Sequence, residues 1–199
     1  MLFFQKLQNY QIILASGSPR RRDLLQAAGI PFVVEVREVS EAFSEGLLPE
    51  EVALLLSRKK AMAFSDKFQQ ENIIVIAADT IVSVEGEILN KPGNKEEARQ
   101  MLFKLSGRCH SVVTGVCIAH ASGILSFAEL TRVWFRDLQT DEIDFYINQY
   151  HPFDKAGAYG IQEWIGHTAV TRIEGLYSTV VGLPVERVYV HLKALLEGQ

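Results

Sequence analysis

The stretch QIILASGSPRRRDLLQAAG, residues 11–29, decides the fold class. Its first five residues form a short apolar run that favours a buried β-strand, and Pro19 to Ala28 has the pattern of a helix. Ser18 stands at the N-cap position, Pro19 at the first helical position and Gly29 just beyond the helix. A strand followed directly by a helix is the repeating unit of α/β proteins.

The rest of the chain continues this alternation of short apolar runs and helical patterns. Pro49 opens a helix predicted to reach about Phe68, and Asn72 to Ala78 is an apolar run typical of a strand buried on both faces. Further strands are predicted over residues 32–36, 81–84, 87–89, 111–119 and 124–135, and further helices over 94–105, over 140–149 with Thr140 as the cap, and from Pro184 onward. Because no linker or repeat interrupts the pattern, residues 1–199 are predicted to form one domain.

Composition and charge exclude several classes of protein. The chain has 199 residues, of which 48% are hydrophobic, so it is not a disordered tail. Its formal net charge of −4 lacks the basic surplus of a duplex nucleic-acid binder. No apolar run approaches the roughly 18 residues that span a bilayer. Cys109 and Cys117 lie too far apart on one predicted strand to pair, so we expect free thiols in a reducing cytoplasm.

The segment SGSPRRR, from Ser16 to Arg22, is a candidate anion site. A helix start exposes unpaired N–H groups, a glycine lets the backbone approach a ligand closely, and the arginines add positive charge. It is not a Walker loop, because GxxxxGK[ST] is absent. The alternative is a well-capped helix with a solvated basic turn, and the residues alone do not choose between the two.

Asp79, Thr80 and Lys91 are a second group of candidates. Asp79 and Thr80 follow the apolar run that ends at Ala78, where a carboxylate can hold a divalent cation or deprotonate water. The alternative for Asp79 is a carboxylate that caps a nearby turn. Lys91 precedes a proline and is therefore extended, although taken alone it fits a plain surface lysine better.

The loop DKAGAYGIQ, Asp154 to Gln162, is a third candidate. Two glycines, an Asp-Lys pair and an amide suit a loop that reads a ligand through hydrogen bonds, or a loop that only needs positive backbone φ angles. The five histidines show no zinc-ligand spacing, and the GxSxG and GxGxxG motifs are absent. Arg58, Lys59 and Lys60 form a solvated helix face unless Lys60 turns inward.

Six segments in order make the chain resemble the Maf family of nucleoside triphosphate pyrophosphatases. They are LASGSPRRRDLL (residues 14–25), AADTIV (77–82), LNKP (89–92), LSGRCHSVVTGV (105–116), DKAGAYGIQ (154–162) and VVGLPVE (180–186). The resemblance implies an α/β fold with a mixed β-sheet, flanking helices and two lobes around a deep cleft. It also implies a homodimer.

The resemblance implies hydrolysis between the α- and β-phosphates, with Mg²⁺ or Mn²⁺. Asp79, Lys91 and Glu41 become the catalytic residues, and Glu41 and Asp79 the metal ligands. The substrate-binding residues are expected to be Ser16, Ser18, Arg20, Arg21, Lys60, Thr80, Asp154, Lys155 and Gln162. The nucleoside triphosphate is the expected partner.

Three positions separate the subgroups of this family. Arg20, Thr80 and Gln162 resemble the subgroup that acts on dTTP and UTP. The alternatives are a 7-methyl-GTP pyrophosphatase and a non-catalytic nucleotide-binding regulator of cell division. Glu163 and Trp164 depart from the family pattern, because small residues, often glycine, are common after the YGIQ motif.

Overall fold

The computed structural model describes residues 2–197. The strands are β1 (Gln11–Leu14), β2 (Val33–Val34), β3 (Ile73–Val84), β4 (Glu87–Leu89), β5 (Cys109–His120), β6 (Gly123–Phe135) and β7 (Val170–Glu174). The α-helices are α1 (Leu2–Leu7), α2 (Pro19–Ala27), α3 (Pro49–Met62), α4 (Lys95–Leu105), α5 (Thr140–Tyr150), α6 (Trp164–Thr168), α7 (Tyr177–Val181) and α8 (Val185–Glu197). Short 3₁₀ helices span Ser65–Lys67, Pro152–Asp154 and Ala156–Ala158. No described helix is long and apolar enough to cross a membrane.

The strands form one mixed sheet, which confirms the predicted fold class. The strand order is β2-β1-β3-β5-β6-β7, and β4 pairs with β3 outside that path. β1 runs parallel to β2 and to β3, with Ile13 opposite Val33 and Val75. β4 is antiparallel to β3, and β7 is antiparallel to β6. The parallel strands β1 and β3 are apolar along most of their length because both faces are covered.

The chain divides into two compact units. The first unit comprises Met1–Asp79, Thr114–Glu129 and Gly182–Gln199, and the second comprises Thr80–Val113 and Leu130–Val181. Three strands, β3, β5 and β6, contain residues of both units, so the division cuts through continuous strands rather than through a linker. Asp79 is the last residue of the first unit in β3, and Thr80 is the first residue of the second.

The core of the first unit lies on both faces of its strands. One apolar cluster joins Ile12 and Leu14 of β1 to Leu25 of α2 and to Val188 and Leu192 of α8. The residues that alternate with them along β1 point to a second cluster, which contains Ala61 and Phe64. Packing against α3 is close at Gly115 of β5, where an added Cβ would lie 2.3 Å from the carbonyl oxygen of Ala53. This contact fixes the helix that carries Lys60.

Several elements differ from those that the sequence predicts. The predicted strands over residues 72–78 and 81–84 are one continuous strand, β3, so Asp79 and Thr80 lie within a strand and not after one. Helix α3 ends at Met62, and a separate 3₁₀ turn follows. The N-cap of α5 is Gln139 rather than Thr140.

Four short elements have no counterpart in the predictions: α1, α6, β7 and α7. Helix α1 has only six residues and is stabilised by tertiary contacts. The ring of Phe3 packs at 4.8 Å on that of Tyr189, and Lys6 donates a hydrogen bond to the carbonyl oxygen of Leu196 at 2.6 Å. Contacts between residues so far apart in sequence leave no local pattern.

Candidate active site

The turn between β1 and α2 holds polar side chains at the start of a helix. Ser16 is buried, and its Oγ accepts hydrogen bonds from the backbone N–H of Ser18 at 3.3 Å and from Nη1 of Arg21 at 3.2 Å. Ser18 is the N-cap and Pro19 the first helical residue, as the sequence predicts. The Ser18 side chain, however, makes no capping hydrogen bond to the described residues. Ser16 therefore does more than Ser18 to order the turn.

Arg21 connects this turn to the segment before the last helix. Its Nε donates to the carbonyl oxygen of Gly182 at 2.7 Å, across 161 positions of sequence. Burial lowers the pKa of the Arg21 guanidinium, the charge of Asp79 raises it, that of Arg20 lowers it and that of Glu41 raises it. These opposing influences place all four charges close together in the first unit. The guanidinium still keeps its charge at physiological pH, because arginine side chains are not deprotonated in proteins.

Lys60 of α3 binds both candidate carboxylates. Its Nζ lies 2.7 Å from Oε1 of Glu41 and also donates a hydrogen bond to Oδ1 of Asp79. The side chains of Lys60 and Asp79 are only 16% and 12% exposed, so solvent screens their ion pair weakly. Of the two interpretations of the Arg58–Lys60 run, the inward-turned Lys60 is correct. Two carboxylate oxygens thus lie within reach of one cationic group.

Glu41 reaches this cluster from a segment without regular structure, residues 35–48. Lys59 holds the segment next to Glu41, because its Nζ donates to the carbonyl oxygen of Ala42 at 2.7 Å. Arg37 holds it at the other end, with a hydrogen bond to the carbonyl oxygen of Ala63 at 2.7 Å and its guanidinium 4.4 Å from the ring centre of Phe64. The adjacent lysines Lys59 and Lys60 therefore bind neighbouring residues of one segment.

In the second unit, Lys155 lies between two carboxylates. Its Nζ is 2.8 Å from Oδ1 of Asp154 and 3.1 Å from Oε1 of Glu163, and its side chain is 9% exposed. The other oxygen of Glu163 accepts a hydrogen bond from the hydroxyl of Tyr146. Tyr146 in turn accepts a hydrogen bond from the backbone N–H of Gly160 at 3.0 Å. The Asp-Lys pair noted in the sequence of this loop therefore forms an ion pair.

Gln162 completes the loop that begins at Asp154. Its Oε1 is buried and has no hydrogen-bond partner among residues 2–197. Gly160 leaves room for this amide, because an added Cβ would lie 2.9 Å from Nε2 of Gln162 and 2.9 Å from Cδ of Glu163. A buried acceptor without a donor costs free energy, so this oxygen is suited to receive an N–H or O–H group from a ligand.

Near the middle of the same loop, Tyr159 binds the buried imidazole of His110. The Tyr159 hydroxyl lies 2.8 Å from Nε2 of His110, and Phe135 packs edge-on against both rings. Burial lowers the pKa of His110 to about 4 and raises that of Tyr159. Nδ1 of His110 has no partner within the described part of the chain. At neutral pH the pair is therefore uncharged and holds the loop by one hydrogen bond and ring packing.

The comparisons with known proteins show the family of the chain. The Maf-like protein family matches residues 11–195. The chain belongs to the Maf family. A relative named dTTP/UTP pyrophosphatase from Phocaeicola vulgatus is 46% identical over 192 residues, which are 96% of this chain and 99% of that one.

A second Maf relative with the same name, from Porphyromonas gingivalis, is 48% identical over 189 residues, which are 94% of this chain and 95% of that one. Among solved structures, the Ham1 protein of Staphylococcus aureus is 20% identical and has a TM-score of 0.47. That match covers 94% of this chain and 98% of the other.

The residues that the Maf resemblance implicates fall into two groups, one in each unit. The first unit holds Ser16, Ser18, Arg20, Arg21, Glu41, Lys60 and Asp79. The second holds Thr80, Lys91, Asp154, Lys155 and Gln162. Lys91 is close in sequence to a loop anchor, since the carbonyl oxygen of its neighbour Asn90 accepts a hydrogen bond from the Gly157 N–H at 3.2 Å. The catalytic and binding roles of both groups stay predictions.

Sequence reasoning missed three residues of the second unit that hold its loop: Tyr146, Glu163 and His110. Tyr146 and His110 lie outside the loop sequence, 17 and 49 positions from their partners Glu163 and Tyr159. Glu163 adjoins the loop, but its partner Tyr146 comes from α5 and its partner Lys155 from the start of the loop. The signal that could have found Glu163 is its departure from the small residues common in Maf proteins at that position.

Proposed function

We propose that this protein hydrolyses dTTP and UTP to the monophosphate and pyrophosphate. The observation that carries the proposal is the meeting of Arg20, Arg21, Lys60, Glu41 and Asp79 in the first unit, next to a helix start. Such a set of charges suits a polyphosphate and the cation bound to it. The relatives that share 46–48% of their residues with this chain are named for this reaction.

In the proposed reaction, the oxygen of a water molecule attacks the α-phosphorus. The bond from this phosphorus to the bridging oxygen breaks, pyrophosphate leaves with the bond's electrons, and the water gives up a proton. The arginines and Lys60 stabilise the negative charge that gathers on the phosphates as this bond breaks. Asp79 holds its carboxylate in a fixed position within β3, where it either accepts the proton or binds the cation.

We further propose that Glu41 and Asp79 hold a divalent cation, Mg²⁺ or Mn²⁺. Their oxygens fit such an ion, because both already bind one cationic group, the ammonium of Lys60. The described residues contain no cluster of three or more His, Cys, Asp or Glu side chains suited to a metal. Phosphate oxygens and water would therefore complete the shell, as is usual for Mg²⁺. When bound, the ion would polarise the phosphate oxygens and offset their charge.

Pyrimidine selection is proposed to rest on Gln162. The unpartnered Oε1 of this residue can accept the ring N–H of uracil or thymine. Arg20 and Thr80 complete the set of residues that points to dTTP and UTP among the Maf subgroups.

A homodimer and a cytoplasmic location are also proposed, both from the sequence. Light scattering of the purified protein tests the first, and cell fractionation tests the second.

The test is incubation of the purified protein with dTTP or UTP and Mg²⁺ or Mn²⁺, followed by anion-exchange chromatography. We expect the monophosphate and pyrophosphate in equal amounts. Intact nucleotide would instead favour a non-catalytic binder, and diphosphate with inorganic phosphate would place cleavage at the wrong bond. A parallel incubation with 7-methyl-GTP distinguishes the subgroups, since we expect that nucleotide to be the poorer substrate.

A further inference from the structure

The segment from Asp154 to Glu163 has a strained backbone that its own residues do not stabilise by themselves. Gly157 and Ala158 are consecutive residues with positive φ angles, 68° and 58°. Glycine adopts this conformation readily, but alanine does so only where its surroundings compensate for the strain. Bonds from other elements must therefore maintain the conformation of the loop.

Three anchors hold the loop, one at its strained centre and two directly after it. The Gly157 N–H donates to the carbonyl oxygen of Asn90 at 3.2 Å. The hydroxyl of Tyr159 contacts Nε2 of His110 at 2.8 Å. On the far side, the Gly160 N–H donates to the hydroxyl of Tyr146 at 3.0 Å. The third anchor depends on where the tyrosine hydroxyl points.

The direction of the Tyr146 hydroxyl is set by Glu163. This hydroxyl donates to Oε2 of Glu163, which leaves its oxygen free to accept from Gly160. Oε1 of Glu163 faces the ammonium of Lys155 at 3.1 Å, so the charge of the carboxylate is compensated. The hydrogen bond to Glu163 also contributes to the raised pKa of Tyr146, after burial. Glu163 thus binds Lys155 near the start of the loop directly and is linked to Gly160 through the Tyr146 hydroxyl.

The side chain of Gln162 lies next to this set of contacts, close to Gly160 and Glu163. Its amide shares the space above Gly160 with the side chain of Glu163, since one added Cβ at Gly160 would come within 2.9 Å of both. Its buried Oε1 has no partner among the residues the structure describes. The position of that oxygen therefore depends on the backbone that Tyr146 and Glu163 hold.

We infer that Glu163 is a positioning residue for pyrimidine selection: by orienting Tyr146 and pairing with Lys155, it fixes the oxygen that Gln162 offers to the base. The inference rests on the proposed function, in which Gln162 reads the base. An acceptor held firmly distinguishes a ring N–H, as in thymine, from the bare ring nitrogen of cytosine. An acceptor that moves distinguishes them poorly.

The test compares the binding of two non-hydrolysable analogues, α,β-methylene-dTTP and α,β-methylene-dCTP, by calorimetry with Mg²⁺. The ratio of their dissociation constants is the readout, because a merely structural defect would weaken both analogues alike. For Glu163→Gln and for Tyr146→Phe we expect the preference for the thymine analogue to fall about tenfold. Glu87→Gln, at an exposed glutamate of the same unit that pairs with Lys104, is the matched control and should keep the wild-type ratio.

Glu163→Gln and Tyr146→Phe are both used so that the test still stands if one of them does not fold. Circular dichroism verifies the fold of each variant. An unchanged ratio in either folded variant overturns the inference, as does a wild-type protein that binds both analogues equally. Hydrolysis of dTTP by the wild type is measured separately. A wild type that prefers the thymine analogue but releases no pyrophosphate contradicts the proposed hydrolysis, and the change in ratio on substitution still decides the role of Glu163.

Discussion

Each unit of the molecule contains a lysine between two carboxylates, partly buried at Lys60 and buried at Lys155, but the two lysines have different surroundings. Lys60 pairs with Glu41 and Asp79, and Arg21 lies close to both of these carboxylates. Lys155 pairs with Asp154 and Glu163, and Glu163 also accepts the Tyr146 hydroxyl. The first lysine belongs to a cluster of several charges, whereas the second is joined to a hydrogen-bonded loop.

The two lysines therefore form ion pairs of the same kind with different roles. Under the proposed function, the surplus of cations around Lys60 would let the carboxylates exchange partners when a phosphate and a metal ion bind. Around Lys155 the pair is part of a chain of bonds that sets a backbone conformation, so exchange would release the loop. We therefore expect substitutions in the first cluster to reduce catalysis and substitutions in the second to reduce stability or selectivity.

The largest effect is expected for Asp79→Asn, which removes the charge and keeps the shape. Pyrophosphate release from dTTP should fall by about 10² to 10⁴, the usual contribution of a positioned base. Chromatography of the products measures this loss, and circular dichroism verifies the fold. Asp23→Asn, an exposed aspartate beside Arg22, is the control and should retain full activity. Full activity of Asp79→Asn would refute the role of Asp79.

The same variant separates the two roles open to Asp79. Mn²⁺ binding in the presence of α,β-methylene-dTTP can be followed by electron paramagnetic resonance. Binding that survives Asp79→Asn identifies this residue as the proton acceptor, while loss of binding identifies it as a metal ligand.

Replacing the two lysines tests the comparison directly. Lys155→Met should lower the free energy of unfolding by roughly 3 kcal/mol, because it leaves the largely buried carboxylate of Glu163 without a counter-ion. Lys60→Met should cost less than about 1 kcal/mol, since Arg21 still compensates Asp79 and Glu41, yet it should abolish most of the activity. Urea denaturation and pyrophosphate release measure the two effects. Equal losses of stability would contradict the distinction.

The sequence predicted the parts of the fold that carry local signals. The strand β1, the start of α2 at Pro19 and the β3–β4 hairpin at Glu85 and Gly86 are confirmed, and both hairpin residues have the positive φ angles that such turns need. It did not predict that β3 continues through Asp79. A carboxylate interrupts the apolar pattern, but the ion pair with Lys60 compensates for its burial.

In the candidate site, too, the sequence predicts residues but not the contacts between distant residues. Motif matching selected Glu41 and Lys60, and their contact agrees with that selection. Nothing in the local sequence predicted the partners of Glu163, because Tyr146 projects from α5 and Lys155 from the start of the loop. A pattern along the chain identifies the residues that form turns and helices, but side chains that meet across the fold leave no such pattern.

A smaller effect is expected from acid, through His110. Burial lowers its pKa to about 4 from a usual 6.5, so the unfolded chain binds a proton at this residue between those values and the folded chain does not. Stability from this residue is complete above pH 6.5 and is lost as the pH falls to about 4, by up to about 1.4 kcal/mol per pH unit. Urea denaturation of His110→Gln at pH 5 and pH 7.5 should show a smaller pH dependence than the wild type. An identical dependence would contradict the prediction.

The smallest effect is expected for Gln162→Glu. Uracil and thymine carry a carbonyl oxygen beside the ring N–H, so an amide can accept from one and donate to the other. A carboxylate keeps the acceptor but loses the donor, so the preference for dTTP and UTP over other nucleotides should weaken by about tenfold with the fold unchanged. A panel of nucleotides assayed for pyrophosphate release measures the preference. An unchanged substrate profile would remove Gln162 from the residues that select the base.

The bond from Arg21 to the Gly182 carbonyl has a consequence for how the protein is made. The ribosome produces the arginine turn first, and the acceptor that orients Arg21 is added 161 positions later. The nascent protein therefore contains every charged group of the first cluster long before it can arrange them. If the cluster binds a polyphosphate as proposed, that ability arises only after Gly182 has been synthesised.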